Sequence, residues 1–329
     1  MTRALITGGT GFIGSRLALH CRNAGQDVLV LGQANTAAEE DNRNLLVREG
    51  IEVDLVSMAD RDRLADRVKG RDVVYHLAAA QHEANVPDQH FRDVNVEGTR
   101  RLLDVCVESG VRRFVHGSTI GVYGSKEGVI DETTSPAPDN IYGVTKLEGE
   151  RLVLSYGDRL PVVAIRISET YGPGDRRLLK LFRAIDKGMF FVIGSGRNLH
   201  HLVYIDDLIK GMVRASEAEG APGEVFLLAG ERPLTTREMA DTIAAALGKS
   251  VPAWRVPLFP FTIAACVLEG VLRPLGIQPP LHRRRLDFFK KSFTLSSDKA
   301  GRILGYSAEV DFRTGAAATA DWYREHGLL

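Results

Sequence analysis

The sequence has little cysteine and no excess of charge, and these absences argue against several classes of protein. Cys21, Cys106 and Cys266 are far apart and odd in number, so we expect no disulfide framework and a cytoplasmic location. Lysine plus arginine and aspartate plus glutamate both total 42, and this neutrality argues against a nucleic-acid partner. The nine histidines lack zinc-ligand spacing, so no metal is expected. No signal-peptide pattern precedes the first predicted strand.

Long uninterrupted apolar runs are also missing. The least polar stretch, residues 256–281, contains Glu269 and Arg273 and is broken by prolines, so no transmembrane segment is predicted. Three interpretations of this stretch stay open: a helix packed on the core, a lid over an apolar substrate, or a helix lying on a membrane surface. In the third, residues 256–277 would make peripheral membrane contact.

The chain nevertheless has ordinary globular composition, with 329 residues, of which 44% are hydrophobic and 26% are charged. This length allows a large core and two domains. Short apolar runs alternate with helical patterns along the first half, which predicts an α/β fold with a doubly wound parallel sheet. The predicted strands are residues 4–7, 27–31, 51–55, 72–77, 113–117 and 162–167.

A glycine-rich turn follows the first predicted strand and leads into a helix. Gly8 suits a tight turn, Gly11 lets a diphosphate approach the backbone, and Gly14 lets the helix lie close to the strand. The free N–H groups at the helix start would then face phosphates. The spacing is G-x-x-G-x-x-G rather than the commoner G-x-G-x-x-G. This order of strand, turn and helix predicts a dinucleotide site.

The residues that follow the second predicted strand do not distinguish NAD from NADP. Gly32 and Gln33 follow the second predicted strand, where an acid would bind a ribose hydroxyl and an arginine a 2′-phosphate. We favour NAD because no arginine is close in sequence, and NADP stays open. Asp54 ends the third strand, where it could accept from an adenine amino group or serve as a helix cap.

A tyrosine and a lysine one helical turn apart supply the predicted chemistry. Tyr142 and Lys146 share a face of a predicted helix. A free phenol has a pKa of about 10, and a neighbouring ammonium favours its ionised form. Tyr142 could therefore accept a proton from an alcohol during hydride transfer. A hydroxyl from Thr119 or Ser118, at the end of the fifth strand, would orient the substrate oxygen.

Five segments together resemble the extended short-chain dehydrogenase/reductases, in particular the NAD-dependent epimerase/dehydratase family and its 3β-hydroxysteroid dehydrogenase-like branch. They are residues 7–14 (TGGTGFIG), 76–79 (HLAA), 118–124 (STIGVYG), 142–146 (YGVTK) and 171–175 (YGPGD). The resemblance implies a catalytic triad of Thr119, Tyr142 and Lys146, with Ser118 beside it. It also makes Asn95 the structural asparagine of the active-site helix.

The resemblance further implies a domain organisation and a cofactor site. Residues 1–167 would form a Rossmann domain that carries the catalytic residues. Residues 168–329 would form a smaller α/β part that binds substrate, with some segments returning to the first domain. A homodimer is expected through the helices predicted at residues 91–109 and 140–156. The residues expected to hold NAD are Gly8, Gly11, Phe12, Ile13, Gly14, Asp54, Leu55, Leu77, Ala78, Ala79, Tyr142 and Lys146.

Gln81, Glu169 and His200 are the candidates on the substrate side. Enzymes of this family that act on nucleotide-diphosphate sugars usually carry an asparagine where this chain has Glu169, and an arginine near His200. A carboxylate disfavours a diphosphate. We therefore place a dehydrogenase or ketoreductase for an apolar, hydroxysteroid-like alcohol ahead of a sugar epimerase, dehydratase or 4-ketoreductase. A non-catalytic cofactor-sensing protein is the third hypothesis, and the intact triad argues against it.

Overall fold

The computed structural model describes residues 1–81, 86–272 and 286–329. The strands of this part are β1 (Arg3–Thr7), β2 (Asp27–Gly32), β3 (Glu52–Leu55), β4 (Val73–His76), β5 (Arg113–Thr119), β6 (Val129–Ile130), β7 (Val162–Ile167), β8 (Glu169–Tyr171), β9 (Val192–Ile193), β10 (Leu199–His200), β11 (Leu202–Tyr204), β12 (Val225–Leu228), β13 (Leu234–Thr235), β14 (Arg255–Val256) and β15 (Thr294–Leu295).

The helices of the same part are α1 (Phe12–Asn23), α2 (Ala37–Arg48), α3 (Arg61–Val68), α4 (Asp88–Arg92), α5 (Thr99–Glu108), α6 (Ile141–Leu154), α7 (Leu179–Asp186), α8 (Ile205–Glu217), α9 (Thr236–Leu247), α10 (Leu258–Leu272), α11 (Asp298–Leu304) and α12 (Phe312–Glu325). A π-helical segment, Asp93–Gly98, joins α4 to α5. Short 3₁₀ turns cover Ile120–Tyr123 and Asp287–Phe289.

Seven of the described strands form one sheet in the order β12-β7-β5-β4-β1-β2-β3, with every neighbouring pair parallel. The predicted doubly wound α/β fold is therefore confirmed. The strands that follow β1 in the chain first run to one side of it, as β2 and β3, and then to the other side, starting with β4, so the strand order reverses between β1 and β4. In such sheets ligands bind beyond the carboxyl ends of the strands, at this point of reversal. That edge lies where the glycine turn follows β1 and where Thr119 ends β5.

The sheet is buried on both faces, which explains its nearly continuous apolar strands. Ala4 and Ile6 of β1 belong to one core cluster, whereas Leu5, between them, belongs to another. This alternation follows from the two-residue period of a strand. The first cluster also contains Leu208 of α8, and the second contains Leu102 of α5.

Residues after β7, together with β6, form short strand pairs beside the main sheet. β8 pairs with β11 and β9 with β14, both in parallel, whereas β10 and β13 are antiparallel. The pair of β6 and β15 brings Leu295 next to Ile130. β12 returns to the main sheet, where it lies beside β7.

The apolar stretch of residues 256–281 folds as a helix over part of its length. β14 and α10 cover its beginning, and residues 273–281 lie outside the described part of the chain. Across the described residues, no helix combines the length and the apolar character needed to cross a membrane.

Candidate active site

The glycine turn after β1 is packed so closely that side chains are excluded. Gly8 has φ of +67°, and a Cβ there would lie 2.6 Å from the backbone nitrogen of Ala78. A Cβ on Gly14 would lie 2.4 Å from the carbonyl oxygen of Gly8. The turn therefore requires glycine at both positions, which gives α1 its close approach to the sheet.

The start of α1 leaves its amides available to an anion. Gly11 stands at the N-cap, where no side chain of the described residues accepts a hydrogen bond. Phe12 and Ile13 open the helix in half-buried positions. The exposed N–H groups and the helix dipole make this turn a suitable diphosphate cradle, so the residues present fit a dinucleotide.

The other residues predicted to bind the cofactor lie at the same edge of the sheet. Leu77 and Ala78 follow β4 and run beside Gly8, and the Thr7 hydroxyl accepts from the Ala78 N–H at 3.3 Å. Ala79 continues this half-buried backbone, and Leu55 is exposed at the end of β3.

Asp54, also at the end of β3, is held by two arginines. Its carboxylate oxygens accept from Arg63 and Arg67, each at 2.8 Å. Asp60, rather than Asp54, caps α3. Contact between Asp54 and an adenine stays a prediction.

Two members of the predicted triad, Thr119 and Tyr142, border the short turn that follows β5. The Thr119 hydroxyl accepts from the Gly121 N–H at 3.1 Å, so its proton can be donated elsewhere. A Cβ placed on Gly121 would lie 3.4 Å from the Thr119 side chain and 3.9 Å from the Tyr142 ring. A Cβ on Gly143 would lie 2.6 Å from the Gly121 carbonyl oxygen. Thr119 and Tyr142 therefore border the same turn.

Lys146 lies one helical turn beyond Tyr142 and is only 2% exposed. Its Nζ donates to the Gly117 carbonyl oxygen at 2.5 Å and lies 3.4 Å from His116 Nε2. Burial lowers the pKa of Lys146 to about 8, although Glu150, one turn further along α6, opposes the change. The amine is therefore mostly protonated at pH 7 and loses its proton as the pH rises through about 8.

This lowered pKa predicts an alkaline limit to ketone reduction. Tyr142 must then supply a proton and Lys146 must be charged, so kcat/KM should fall about tenfold per pH unit above about pH 8. A pH–rate profile would measure this limb. In Lys146→Arg, whose guanidinium keeps its charge, the part of this limb that Lys146 causes should be lost from the residual activity. A wild-type profile that stays level to about pH 10 would contradict the prediction.

Ser118 points to the opposite side of β5 from Thr119, as alternation along a strand requires. Its hydroxyl donates to Glu150 Oε2 at 2.6 Å. Glu150 in turn pairs with Arg166 of β7 at 2.6 Å, and Arg166 donates to the Tyr123 hydroxyl at 2.6 Å. Ser118 thus belongs to a buried ionic network, and Thr119 is the hydroxyl beside Tyr142.

A row of buried polar groups crosses the sheet beneath this site. His76 Nδ1 lies 2.7 Å from the Thr7 hydroxyl, and its Nε2 lies 2.9 Å from that of Thr99. Burial lowers the pKa of His76 to about 3, so its ring stays neutral. The ring of His116 lies 5.4 Å from that of His76, measured between centroids. His116 was not predicted from the sequence, which carries no spacing signal for it.

Asn95 ties the loop after β4 to the helix that carries Tyr142. Its side chain accepts from the Ala80 N–H at 2.8 Å and donates to the Ala80 carbonyl oxygen at 3.1 Å. It also donates to the Thr145 hydroxyl at 2.9 Å. Asn95 lies in the π-helical segment, a feature that often marks functional sites. Gln81, the next residue after Ala80, is exposed.

Glu169 and His200, predicted separately for the substrate side, form a pair. Glu169 Oε2 lies 3.1 Å from His200 Nδ1. Burial raises the pKa of Glu169, but the hydrogen bond from His200 and the charge of Arg177 outweigh it, so the net pKa lies below its ordinary value. Glu169 is therefore an anchored carboxylate, and its side chain keeps 25% exposure.

The His200 ring is fixed from several sides. Its Nε2 lies 3.2 Å from Asn198 Nδ2 and 3.1 Å from the Thr236 hydroxyl, and Phe288 packs against the ring at 4.5 Å between centroids. An amide N–H can only donate, so Nε2 accepts and Nδ1 carries the proton toward Glu169. Among the described residues, no cluster of His, Cys, Asp and Glu is arranged to hold a metal ion.

Comparison with known proteins gives a family for this fold and site. Residues 4–229 match the model of the NAD dependent epimerase/dehydratase family. The chain is 31% identical to a dTDP-glucose 4,6-dehydratase of Streptomyces antibioticus, over 98% of this chain and 92% of that protein. It is 30% identical to 3beta-hydroxysteroid-dehydrogenase/decarboxylase isoform 2 of Arabidopsis thaliana, over 80% of this chain but 50% of that protein.

A solved structure supports the same placement. The UDP-glucuronic acid 4-epimerase of Bacillus cereus, in complex with NAD, superposes with a TM-score of 0.78 at 27% identity, over 99% of each chain. The family match covers more than half of the chain, and the parallel sheet and glycine turn agree with it. The chain belongs to the NAD-dependent epimerase/dehydratase family and is an enzyme of the extended short-chain dehydrogenase/reductase type.

Proposed function

We propose that this enzyme transfers a hydride between NAD and a secondary alcohol or its ketone, with Tyr142 carrying the proton. The observation that supports this most directly is the gathering of Thr119 and Tyr142 at Gly121, with Lys146 buried one turn away. The glycine turn and the uncapped start of α1 would hold the cofactor's diphosphate. When bound, NAD supplies the hydride acceptor.

Lys146, Tyr142 and Thr119 have different roles in moving the proton and orienting the substrate. The Lys146 ammonium favours the Tyr142 phenolate, which removes the proton from the substrate hydroxyl during oxidation. Thr119 donates a hydrogen bond to the same substrate oxygen, because its own oxygen already accepts from Gly121. In the reverse direction Tyr142 returns the proton to the ketone oxygen.

For the substrate we favour an apolar, hydroxysteroid-like alcohol. The anchored Glu169 carboxylate opposes a diphosphate at the position where sugar-nucleotide enzymes usually carry an asparagine. The similarity to the Arabidopsis hydroxysteroid dehydrogenase agrees with this choice. A nucleotide-sugar epimerase, dehydratase or 4-ketoreductase is the second candidate, and the dTDP-glucose dehydratase and UDP-glucuronic acid epimerase similarities favour it.

A substrate panel tests the proposal. The purified enzyme with NAD would be offered secondary-alcohol sterols, UDP-hexoses and dTDP-hexoses, with NADH absorbance and product chromatography as readouts. We expect NADH from a sterol alcohol. Conversion of sugar nucleotides alone would establish the second candidate. If the enzyme converted neither sterol alcohols nor sugar nucleotides, both candidate functions would be overturned.

The substrate argument predicts a gain of binding in one variant. Glu169→Asn removes the carboxylate, so UDP and dTDP should bind about tenfold more tightly, which corresponds to about 1.4 kcal/mol. Isothermal titration calorimetry would give the affinities. Glu231→Gln removes an equal charge from an exposed position and serves as control. Unchanged affinity in Glu169→Asn would discard the charge clash as the reason for excluding diphosphates.

We also infer that the enzyme is a homodimer, because the family resemblance places the α4–α5 segment and α6 at a shared four-helix contact. These helices already pack on each other within one chain through the Asn95–Thr145 hydrogen bond. Light scattering at micromolar concentration should give twice the mass of one chain. The mass of a single chain would contradict the inference.

A further inference from the structure

His116 is a buried polar residue in the middle of β5, and the proton transfer described above gives it no role. Its side chain is almost completely buried, as is that of Phe114, two positions earlier on the same face of the strand. The Nε2 atom of His116 faces α6. It lies 3.4 Å from Lys146 Nζ, and a Cβ on Gly149 would lie 4.0 Å from it. The imidazole therefore meets the helix that carries Tyr142.

The direction of the hydrogen bond between Lys146 and His116 follows from the two groups. A lysine ammonium can only donate, so His116 Nε2 accepts and Nδ1 carries the ring proton. Among the described residues, Nδ1 has no hydrogen-bond partner. A buried N–H without a partner lowers stability, and the ring of a phenylalanine would fill this place without that loss. The imidazole is therefore explained by its contact with Lys146 rather than by packing.

His116 stays neutral, and so it stays an acceptor. Burial and the charge of Lys146 hold the pKa of His116 well below its ordinary value. The ring of His76, on β4, lies 5.4 Å away between centroids and is kept neutral by burial. Glu150 is the carboxylate that acts on Lys146, and it is paired with Arg166. Among these groups, only the lysine titrates near neutral pH.

The Lys146 ammonium has three N–H bonds, and β5 accepts two of them. One is directed to the Gly117 carbonyl oxygen at 2.5 Å, and the other to His116 Nε2. Both acceptors lie two or three residues before Thr119, the strand end that borders Tyr142. With two donors held by the strand, the third N–H remains for Tyr142 and the cofactor.

We propose that His116 is a positioning residue, which holds the Lys146 ammonium beside Gly117 so that its charge acts on Tyr142. This inference rests on the proposed function, in which the charged lysine favours proton transfer by Tyr142. His116 acts through Lys146 and not on the reacting atoms. Its loss should lower the pKa of Lys146, because the buried ammonium would have one acceptor fewer.

His116→Phe and His116→Gln test the inference as a pair. Phenylalanine keeps a ring but has no acceptor, whereas glutamine can place an amide oxygen near the position of Nε2. In His116→Phe, the alkaline limb of ketone reduction should begin about one pH unit lower, as expected for the loss of one hydrogen bond to a charged group. At pH 8 the charged fraction of Lys146 would then fall from about a half to about a tenth, so kcat/KM should fall about fivefold.

His116→Gln is the conservative control, and its limb and its kcat/KM should stay close to those of the wild type. Retained melting temperature and NAD affinity would show that each variant is folded. His116→Leu, which also lacks an acceptor, would replace His116→Phe if the phenylalanine variant failed to fold. A role in packing alone would change the melting temperature but would leave the pH–rate profile in place.

A direct titration of Lys146 gives a readout that needs neither substrate nor turnover. Lysine labelled with carbon-13 at Cε would be followed by NMR, and Lys146→Arg would assign the signal. The midpoint should be lower by about one unit in His116→Phe and unchanged in His116→Gln.

The two readouts distinguish failure of this inference from failure of the proposed function. A lowered midpoint in an enzyme that converts neither sterol alcohols nor sugar nucleotides would support the contact between His116 and Lys146 and overturn the proposed function. If His116→Phe kept both the midpoint and the alkaline limb of the wild type, the inference would be overturned and the proposed function would stand. A raised midpoint would also overturn it, because His116 would then oppose the charge of Lys146.

Discussion

Tyr142→Phe is expected to lower kcat by roughly 10²–10⁴-fold while leaving NAD affinity within about twofold of the wild type. The substitution removes only the hydroxyl, and the ring can still fill its place beside Gly121. The proton of the substrate alcohol then has no acceptor at the reacting oxygen. Steady-state kinetics would measure kcat, and titration of protein fluorescence would measure NAD affinity.

Tyr156→Phe is the matched control for this variant. Tyr156 follows the end of the same helix, and its hydroxyl donates to Asp104 at 2.7 Å. Its loss removes one partly buried hydrogen bond, at a cost of about 1 kcal/mol in stability, without touching the site at Gly121. Turnover should therefore persist. If Tyr142→Phe kept kcat within about tenfold of the wild type, Tyr142 could not be the proton carrier.

The central sheet could be predicted because its signal is local. The strand predicted at residues 162–167 matches β7, and the one predicted at 27–31 lacks only Gly32 of β2. Parallel strands buried on both faces are short apolar runs, and their ends are marked by polar residues or glycine. The glycine turn was equally readable, since its three-residue spacing is local, although the crowding of Gly8 by Ala78 could not be seen in the sequence.

The side-chain arrangement of the site could not be predicted, because distant segments determine it. Residues 91–109 were predicted as one helix, but the helix contains a π-helical segment where the Asn95 side chain reaches Ala80 and Thr145. Glu169 and His200 are 31 residues apart and meet because Glu169 of β8 pairs with Leu202 of β11, two residues after His200. Hydrophobic periodicity predicts neither the contacts of Asn95 nor the contact between Glu169 and His200.

Glu150 could have been noticed, because it continues the face of α6 that carries Tyr142 and Lys146. Its position, four residues after Lys146, is the spacing at which helical side chains meet. Its partner Arg166 lies in a predicted strand that otherwise contains only apolar residues. A charged residue within such a strand predicts a buried partner of opposite charge.

Arg166→Met should be the most destabilising substitution in this network, with a loss of about 3–5 kcal/mol in the free energy of unfolding. Arg166 and Glu150 are 5% and 2% exposed, so removing the guanidinium leaves a buried carboxylate without its ionic partner. The Tyr123 hydroxyl loses its donor as well. Chemical denaturation followed by circular dichroism would measure the change.

The double variant Glu150→Leu/Arg166→Met separates stability from positioning. A well-packed apolar pair can replace a buried ion pair at little cost, so the free energy of unfolding should return to within about 2 kcal/mol of the wild type. Turnover of the double variant should stay below that of the wild type, because Glu150 joins α6 to the strand end that carries Thr119 through its hydrogen bond with Ser118. Glu150 also raises the pKa of Lys146, so the alkaline limb of the double variant should move to lower pH. Recovery of kcat together with stability would show that the ion pair serves only the fold.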